Sequence, residues 1–389
     1  MKLLWGQLNR IRPDGESVRR ILAGWGKMAM WSLLPILAGV AYQAAVSASN
    51  TRRYPAPGRL IDVGGRRLHL REMGEGGPTV ILEATGFGCS VDYLFIQSEI
   101  SRTTRTCSYD RAGMGWSDPC DGPRSVRALV EDLRALLQRA EIGPPYVLVG
   151  GSAGGLIVEL FARTYPEEVA GLVLIDALDG EVLARLPRAS AHLMRMVSIG
   201  QLCARLGVLR LLDPFSLKKL PSDEGGIRSV VTYRTAAWDA ARCFLKSLEK
   251  SEADLREAPP LRPDLPLRVL THGLTGDLLG PRGDPELLQE IEPIWQAQQA
   301  ALAQRSSNGK QIIAEKSGHR IVAQQPDLVI QAIREVIEAA GQGRSLATLL
   351  FWKEEGDWNA KKAARKGRSF RFGGRPRLHG DVRILRSEG

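Results

Sequence analysis

The sequence predicts an α/β fold in which a mostly parallel central sheet is flanked by helices and interrupted by a helical insertion. Three observations predict it. Short apolar runs alternate with segments of helical periodicity over residues 59–179 and again over 266–341, the pattern that lays helices on both faces of a parallel sheet. The strand-like run Tyr146–Val149 passes at once through Gly150-Gly151-Ser152-Ala153-Gly154 into a helical pattern that reaches Tyr165. Over residues 180–265 the alternation stops and Leu/Ala/Arg-rich helical patterns replace it.

The strand-turn-helix is the centre of the reading. A Gly-x-Ser-x-Gly turn forces the serine into a strained backbone conformation, and glycines at 150 and 154 are required because a Cβ there would meet the neighbouring strand or helix. The Ser152 hydroxyl is thereby exposed at the start of a helix, where the Ala153 N–H points at any oxyanion formed beside it. The bland alternative is a Gly/Ser-rich turn leading into a helix.

A chain of 389 residues that is 44% hydrophobic can bury a large core, which excludes a disordered protein. The net charge of +10 is unevenly placed: beyond Gly341 stand 12 basic and 5 acidic residues, so +7 of it lies in the tail and the body is nearly neutral. No RNA- or DNA-binding motif accompanies that charge, and nucleic acid is not an expected partner. The cysteines, Cys89, Cys107, Cys120, Cys203 and Cys243, show no metal-binding spacing. They read as buried thiols, with a Cys203–Cys243 bridge in an oxidising compartment as the alternative. No metal or cofactor is expected.

Residues 1–27 form a basic segment and 28–48 a charge-free apolar run long enough to cross a hydrocarbon core of ~30 Å. The excess of Lys and Arg before that run predicts a single-pass anchor with a cytoplasmic N-terminus and the rest of the chain outside. The rival is a secreted protein with a signal peptide cleaved near Val46-Ser47-Ala48. A linker over 49–58 leads to a hairpin, Arg59–Val63 and Arg66–Gly74 about Gly64-Gly65, then to strands Thr79–Ala84 and Arg105–Asp110. The apolar spacing of Val126, Leu129, Val130, Leu133, Leu136 and Leu137 predicts a helix over 125–140. The elbow strand and helix and the strand Gly171–Ala177 complete the first part of the core, 59–179. The helical stretch 180–265 reads as a cap over one end of the sheet. Core strands Leu267–Gly273 and Lys310–Lys316 and helices over 285–303 and 326–340 follow, within 266–341. Residues 342–389 are basic, Gly-rich and expected to be flexible.

A serine hydroxyl attacks only when a base takes its proton and an acid holds that base in one tautomer. Among the five histidines, His69 falls in the hairpin, His192 in the cap, His272 inside a strand pattern and His379 in the tail. His319 stands just after the strand 310–316, at the carboxyl edge where an open sheet binds ligands and where Ser152 is displayed. It is the expected base, a structural loop histidine being the alternative. The expected acid is Asp277, after the strand 267–273; Asp176 and Asp179, after the strand ending near 177, reach the same edge, and Asp284 and Glu286 remain. For all of these, an N-cap or solvated loop carboxylate is the competing role.

The order Ser, acid, His around a mid-chain elbow resembles the α/β-hydrolase fold superfamily, in its serine hydrolase and esterase-like branch with a helical cap. The resemblance covers about residues 60–340. Tyr109–Pro119 (YDRAGMGWSDP) looks like that superfamily's Asp-Arg-x-Gly-x-Gly-x-Ser segment, and Ser317-Gly318-His319-Arg320-Ile321 like its catalytic-histidine segment. It implies loop-bracing roles for Asp110, Arg111 and Ser117. Where many members carry His-Gly, this chain has Thr85-Gly86-Phe87, and the kept glycine lets the Phe87 N–H complete the oxyanion hole with that of Ala153. Gly150-Gly151-Ser152 is similar to the corresponding stretch of proline iminopeptidases, but Ala153 stands where those carry Trp and the cap holds no acidic cluster for a substrate amine. Serine at 152 argues against haloalkane dehalogenase and epoxide hydrolase chemistry, which need a carboxylate there.

The expected function is therefore a membrane-anchored hydrolase of a small-molecule carboxylic ester, lactone or thioester, working through an acyl-enzyme on Ser152. A proline-iminopeptidase-like amidase and a non-catalytic binding protein on the same fold are the alternatives.

Overall fold

The computed structural model describes residues 15–180, 187–275 and 284–342. Among the described residues eight strands form one sheet: β1 (Arg59–Asp62), β2 (Arg67–Met73), β3 (Thr79–Glu83), β4 (Thr106–Tyr109), β5 (Tyr146–Gly151), β6 (Val169–Ile175), β7 (Leu267–His272) and β8 (Gly309–Ala314), in the order 1-2-4-3-5-6-7-8. β1 pairs antiparallel with β2 and β2 with β4; all other pairs are parallel. The hairpin turns where expected, with Gly64 at φ +106° and Gly65 at φ +83°, a backbone region glycine enters without steric cost. The parallel strands β3 and β5 are buried at every position, as continuous apolar runs must be when helices cover both faces.

The helices are α1 (Gly15–Arg53), α2 (Leu94–Ile100), α3 (Val126–Arg139), α4 (Ala153–Thr164), α5 (Pro187–Arg205), α6 (Val208–Leu212), α7 (Ser222–Thr232), α8 (Thr235–Lys246), α9 (Leu248–Glu257), α10 (Pro285–Ala303), α11 (Ile321–Gln324) and α12 (Pro326–Gln342). The six apolar residues that predict α3 are all buried on its inner face. Against β6, α12 packs Val336 so closely that a Cβ on Gly171 would lie 2.2 Å from its Cγ1. Beneath it Arg268 of β7, fully buried, donates from Nε to Glu335 of α12 at 2.9 Å. A buried charge left without its partner is far more damaging than the pair is helpful. Glu335→Leu should therefore lower unfolding free energy by about 3–5 kcal/mol, seen as a lower urea midpoint, and adding Arg268→Met should restore most of it.

Helices α5–α9 fill the interval between β6 and β7. They pack over the loops that follow β3 and β4: Val197, Val231, Ala240, Ala241 and Leu245 share one buried cluster with Cys89 and Met114. All five cysteines are free thiols, Cys203 and Cys243 among them.

Two expectations at the N-terminus change. Among the described residues no helix is long and apolar enough to cross a membrane, so the span expected over 28–48 finds no support. In the part of that run whose side chains are described, Gln43 and Ser47 bond to Arg210 inside the protein. Gln43 is buried, donating from Nε2 to the Tyr233 carbonyl at 2.7 Å and accepting from Arg210 Nε at 2.8 Å. The expected linker, 49–58, is also shorter, because α1 continues to Arg53.

Candidate active site

The register of the sheet assembles the site before any side chain is considered. Gly150 of β5 lies beside Glu83 of β3, Gly151 beside Ile175 of β6, and His272 of β7 beside Ala314 of β8. The residues just past these positions, Ser152, Asp176 and His319, consequently emerge along one carboxyl edge.

At the elbow Ser152 has φ +50° and ψ −123°, a conformation that costs a residue bearing a Cβ on the order of 1–3 kcal/mol. The surroundings hold it: its N–H donates to the Ile175 carbonyl at 3.0 Å, and its carbonyl accepts from Gly155 and Leu178 at 2.9 Å each. The two glycines are required as expected. A Cβ on Gly150 would lie 2.4 Å from Val158 Cγ2, and one on Gly154 would lie 2.3 Å from the Ala84 carbonyl oxygen.

His319 Nε2 lies 3.1 Å from Ser152 Oγ, and its Nδ1 lies 2.6 Å from Asp176 Oδ2. An ionised carboxylate only accepts, so Nδ1 carries a proton and, in the neutral ring, Nε2 is left to accept from the serine. Trp295 of α10 sets its ring edge-on to His319 with centroids 5.6 Å apart. Of the acids considered from sequence, Asp277 lies outside the described residues and Asp176 is the carboxylate against His319. Asp179 pairs instead with Arg305 at 2.5 Å. Asp284 caps α10, accepting from the Glu286 N–H at 3.0 Å, and Glu286 occupies that helix's first turn. Asp176 shares the strain of the elbow, with φ +45°.

Sequence reasoning missed the second histidine. His272, taken for a strand residue, ends β7 with Nδ1 2.8 Å from Asp176 Oδ2 and Nε2 2.9 Å from Glu292 Oε1. Trp295 Nε1–H also donates to Asp176, at 3.0 Å. Both imidazole nitrogens of His272 face carboxylates, so both carry protons. Burial alone would lower its pKa, but the hydrogen bond and charge of Asp176, with the charge of Glu292, raise it to about 9. Burial likewise opposes the Asp176 charge, yet the hydrogen bonds from His272 and His319 outweigh it and hold the carboxyl at about 2. A histidine raised from 6.5 in this way contributes stability that is complete below pH 6.5 and lost as pH rises through about 9. The urea midpoint of the wild type should fall more steeply across that interval than that of His272→Gln; parallel profiles would contradict the charge assignment.

The loop after β3 lies against the elbow: a Cβ on Gly86 would be 3.3 Å from the Ala153 Cβ. Arg111, from the motif segment, grips that loop. Its NH1 bonds Glu83 Oε1 at 2.6 Å and the Ala84 carbonyl at 3.0 Å, while NH2 bonds the carbonyls of Thr85 and, at 3.1 Å, Gly86. Asp110 is fully buried and accepts from the N–H groups of Ser90 at 2.7 Å and Trp116 at 2.9 Å and from His69 Nδ1 at 2.8 Å. Ser117 Oγ accepts from the His69 N–H and donates to the Asp110 carbonyl. The bracing expected of these three residues is what their contacts provide. A cavity of about 340 Å³ lies elsewhere, between α1 and the helical insertion, lined by Tyr42, Val46, Arg210, Leu217 and Tyr233 among others and by none of Ser152, Asp176 or His319.

Sheet, elbow and insertion define an α/β hydrolase, and the chain belongs to the alpha/beta hydrolase family, whose model matches residues 76–332. It is similar to the "Probable transporter efuK" of Hormonema carpetanum, at 27% identity over 75% of this chain and 44% of that protein. It is also similar to the 2-hydroxy-6-oxo-2,4-heptadienoate hydrolase of Pseudomonas putida, at 31% identity over 31% of this chain and 45% of that one. Among solved structures, the enol-lactonase of Burkholderia xenovorans LB400 superposes with a TM-score of 0.51 at 19% identity, covering 72% of this chain and all of that one. The chain spans 33–44% of the length of the first curated relatives it matches.

Proposed function

We propose that this chain is a serine hydrolase that cleaves a carboxylic ester, lactone or thioester of a small molecule through an acyl-enzyme on Ser152. The observation that carries the reading is the continuous contact from Ser152 Oγ through His319, 3.1 Å on one ring nitrogen, to Asp176, 2.6 Å on the other. In this mechanism Ser152 Oγ attacks the substrate carbonyl carbon as its proton passes to His319 Nε2. The imidazolium then returns that proton to the leaving group. Water, deprotonated by the same nitrogen, hydrolyses the acyl-enzyme and frees the serine. Asp176 fixes the His319 tautomer and offsets the imidazolium charge.

The N–H groups of Ala153 and Phe87 hold the developing oxyanion, and Arg111 has a part in this by way of the peptide plane. In a trans peptide the Gly86 carbonyl and the Phe87 N–H point in opposite directions. A guanidinium holding that carbonyl therefore fixes the direction of the donor. Arg111→Met should lower kcat toward the 10²-fold or so lost with one oxyanion donor, with KM nearly unchanged. Glu83→Gln, which keeps the guanidinium on the loop carbonyls, should lose much less.

The reading is tested by labelling purified protein with a fluorophosphonate and mapping the modified peptide. Labelling at Ser152 that Ser152→Ala and His319→Ala both abolish is the expected result. A well-folded wild type that takes no label would sink the mechanism and favour a binding protein on this fold. Hydrolysis of aminoacyl amides but not of p-nitrophenyl esters would replace esterase with amidase.

A further inference from the structure

Among the described residues, twelve of the seventeen large apolar side chains that stand exposed lie on α1 and on the α5–α6 segment through Phe215. On α1, Leu33, Ile36, Leu37 and Val40 follow helical spacing and are exposed. On α5, Met196, Ile199 and Leu202 recur every third residue, while Val197 and Ala204 are buried on its other side. Leu211, Leu212 and Phe215 continue the exposed set, Leu212 being 74% accessible. The two stripes meet at one crossing. A Cβ on Gly39 would lie 2.4 Å from the Leu206 carbonyl oxygen, and one on Gly207 would lie 2.9 Å from that of Gly39. Backbone passes backbone here as only glycine permits, so both stripes border the same junction.

Over residues 33–53 and 188–220 the exposed charges are mostly positive. Arg52, Arg53, Arg195, Lys218 and Lys219 are exposed. Arg188 and Arg205 pair with Glu290 and Asp239. The one carboxylate within 33–53 and 188–220 is Asp213, which accepts from the N–H groups of Leu217 and Lys218 and from the Tyr233 hydroxyl. An apolar face bordered by cations fits a bilayer interface with anionic headgroups. A second copy of this chain fits worse, because a two-fold contact would bring like charges together.

We propose that the face formed by α1, α5 and α6 through Phe215 docks flat on an anionic lipid bilayer, with Leu211, Leu212 and Phe215 entering the headgroup boundary. This requires no helix to cross the membrane and does not depend on the Ser152 chemistry.

The test is amide hydrogen exchange of the full chain with phosphatidylcholine vesicles, with and without phosphatidylglycerol. Exchange over residues 196–215 should slow only with phosphatidylglycerol, and high salt should reverse it. Leu211→Asp/Leu212→Asp should remove the protection, and Lys218→Glu/Lys219→Glu should weaken the protection seen with phosphatidylglycerol. Unchanged protection of β5 and β6 will certify that both variants are folded. The proposal is overturned if the chain does not bind vesicles, or if bound chain leaves 196–215 unprotected, which would make α1 the only attachment. It is also overturned if protection grows with protein concentration in the absence of lipid.

Discussion

Ser152→Ala should lower turnover of an activated ester by about 10⁶, and His319→Ala and the double variant by nearly the same factor. The equality is the informative part. The base has no proton to take once the hydroxyl is gone, and the hydroxyl is a poor nucleophile without the base, so two losses that belong to one proton transfer do not multiply. The oxyanion donors and the bound water remain in all three variants and should leave a residual rate of about 10³–10⁴ over the uncatalysed reaction. Single-turnover rates with a p-nitrophenyl ester measure this directly. Losses that multiply in the double variant would mean that the 3.1 Å contact between Ser152 Oγ and His319 Nε2 is not the path of the proton. Because Ser152 also occupies a strained backbone position, alanine there keeps the strain and removes only the hydroxyl, which keeps the comparison on the chemistry rather than on folding.

What was legible in the sequence follows from which forces act locally. The strands, the inner face of α3 and the elbow were readable because burial on both sheet faces and the steric needs of Gly150 and Gly154 are written within a few adjacent residues. His319 was readable because the carboxyl edge of a parallel sheet is a topological consequence of strand order. The acid was not, because Asp176 and Asp277 both follow core strands, and only the side-by-side register of β5 with β6 and the left-handed turn at Asp176 settle which carboxylate faces His319 among the described residues. His272 is the strand residue the apolar run predicts, but its pairing with Asp176 was not legible there. Its second face, Glu292, comes from α10, twenty residues away, and no local pattern joins them. The N-terminal helix is a related case: the charge-free run is suited both to lipid and to a protein neighbour, and its protein contacts are made by single residues, Gly39 against Leu206 and Gln43 against Arg210, whose partners lie over 160 residues further on.

Asp176→Asn should lower kcat by about 10⁴ while leaving KM near its original value, and Asp277→Asn should leave both little changed. The carboxylate accepts hydrogen bonds from His319 Nδ1, His272 Nδ1 and Trp295 Nε1. An asparagine offers one oxygen and a donor NH₂ in its place. Whichever way the amide is turned, it cannot accept from both imidazoles through separate oxygens. Where its NH₂ meets His319, the ring must carry its proton on Nε2, and a nitrogen that already carries a proton cannot take one from Ser152. The same substitution removes the charge that holds His272 protonated, so its pKa should drop from about 9 and the pH-dependent part of the stability should shrink with it. Activity and the stability profile thus read two histidines through one carboxylate. If Asp277→Asn proves the damaging variant while Asp176→Asn keeps full turnover, the acid is the one first expected from the sequence, and the contact of Asp176 with His319 is structural.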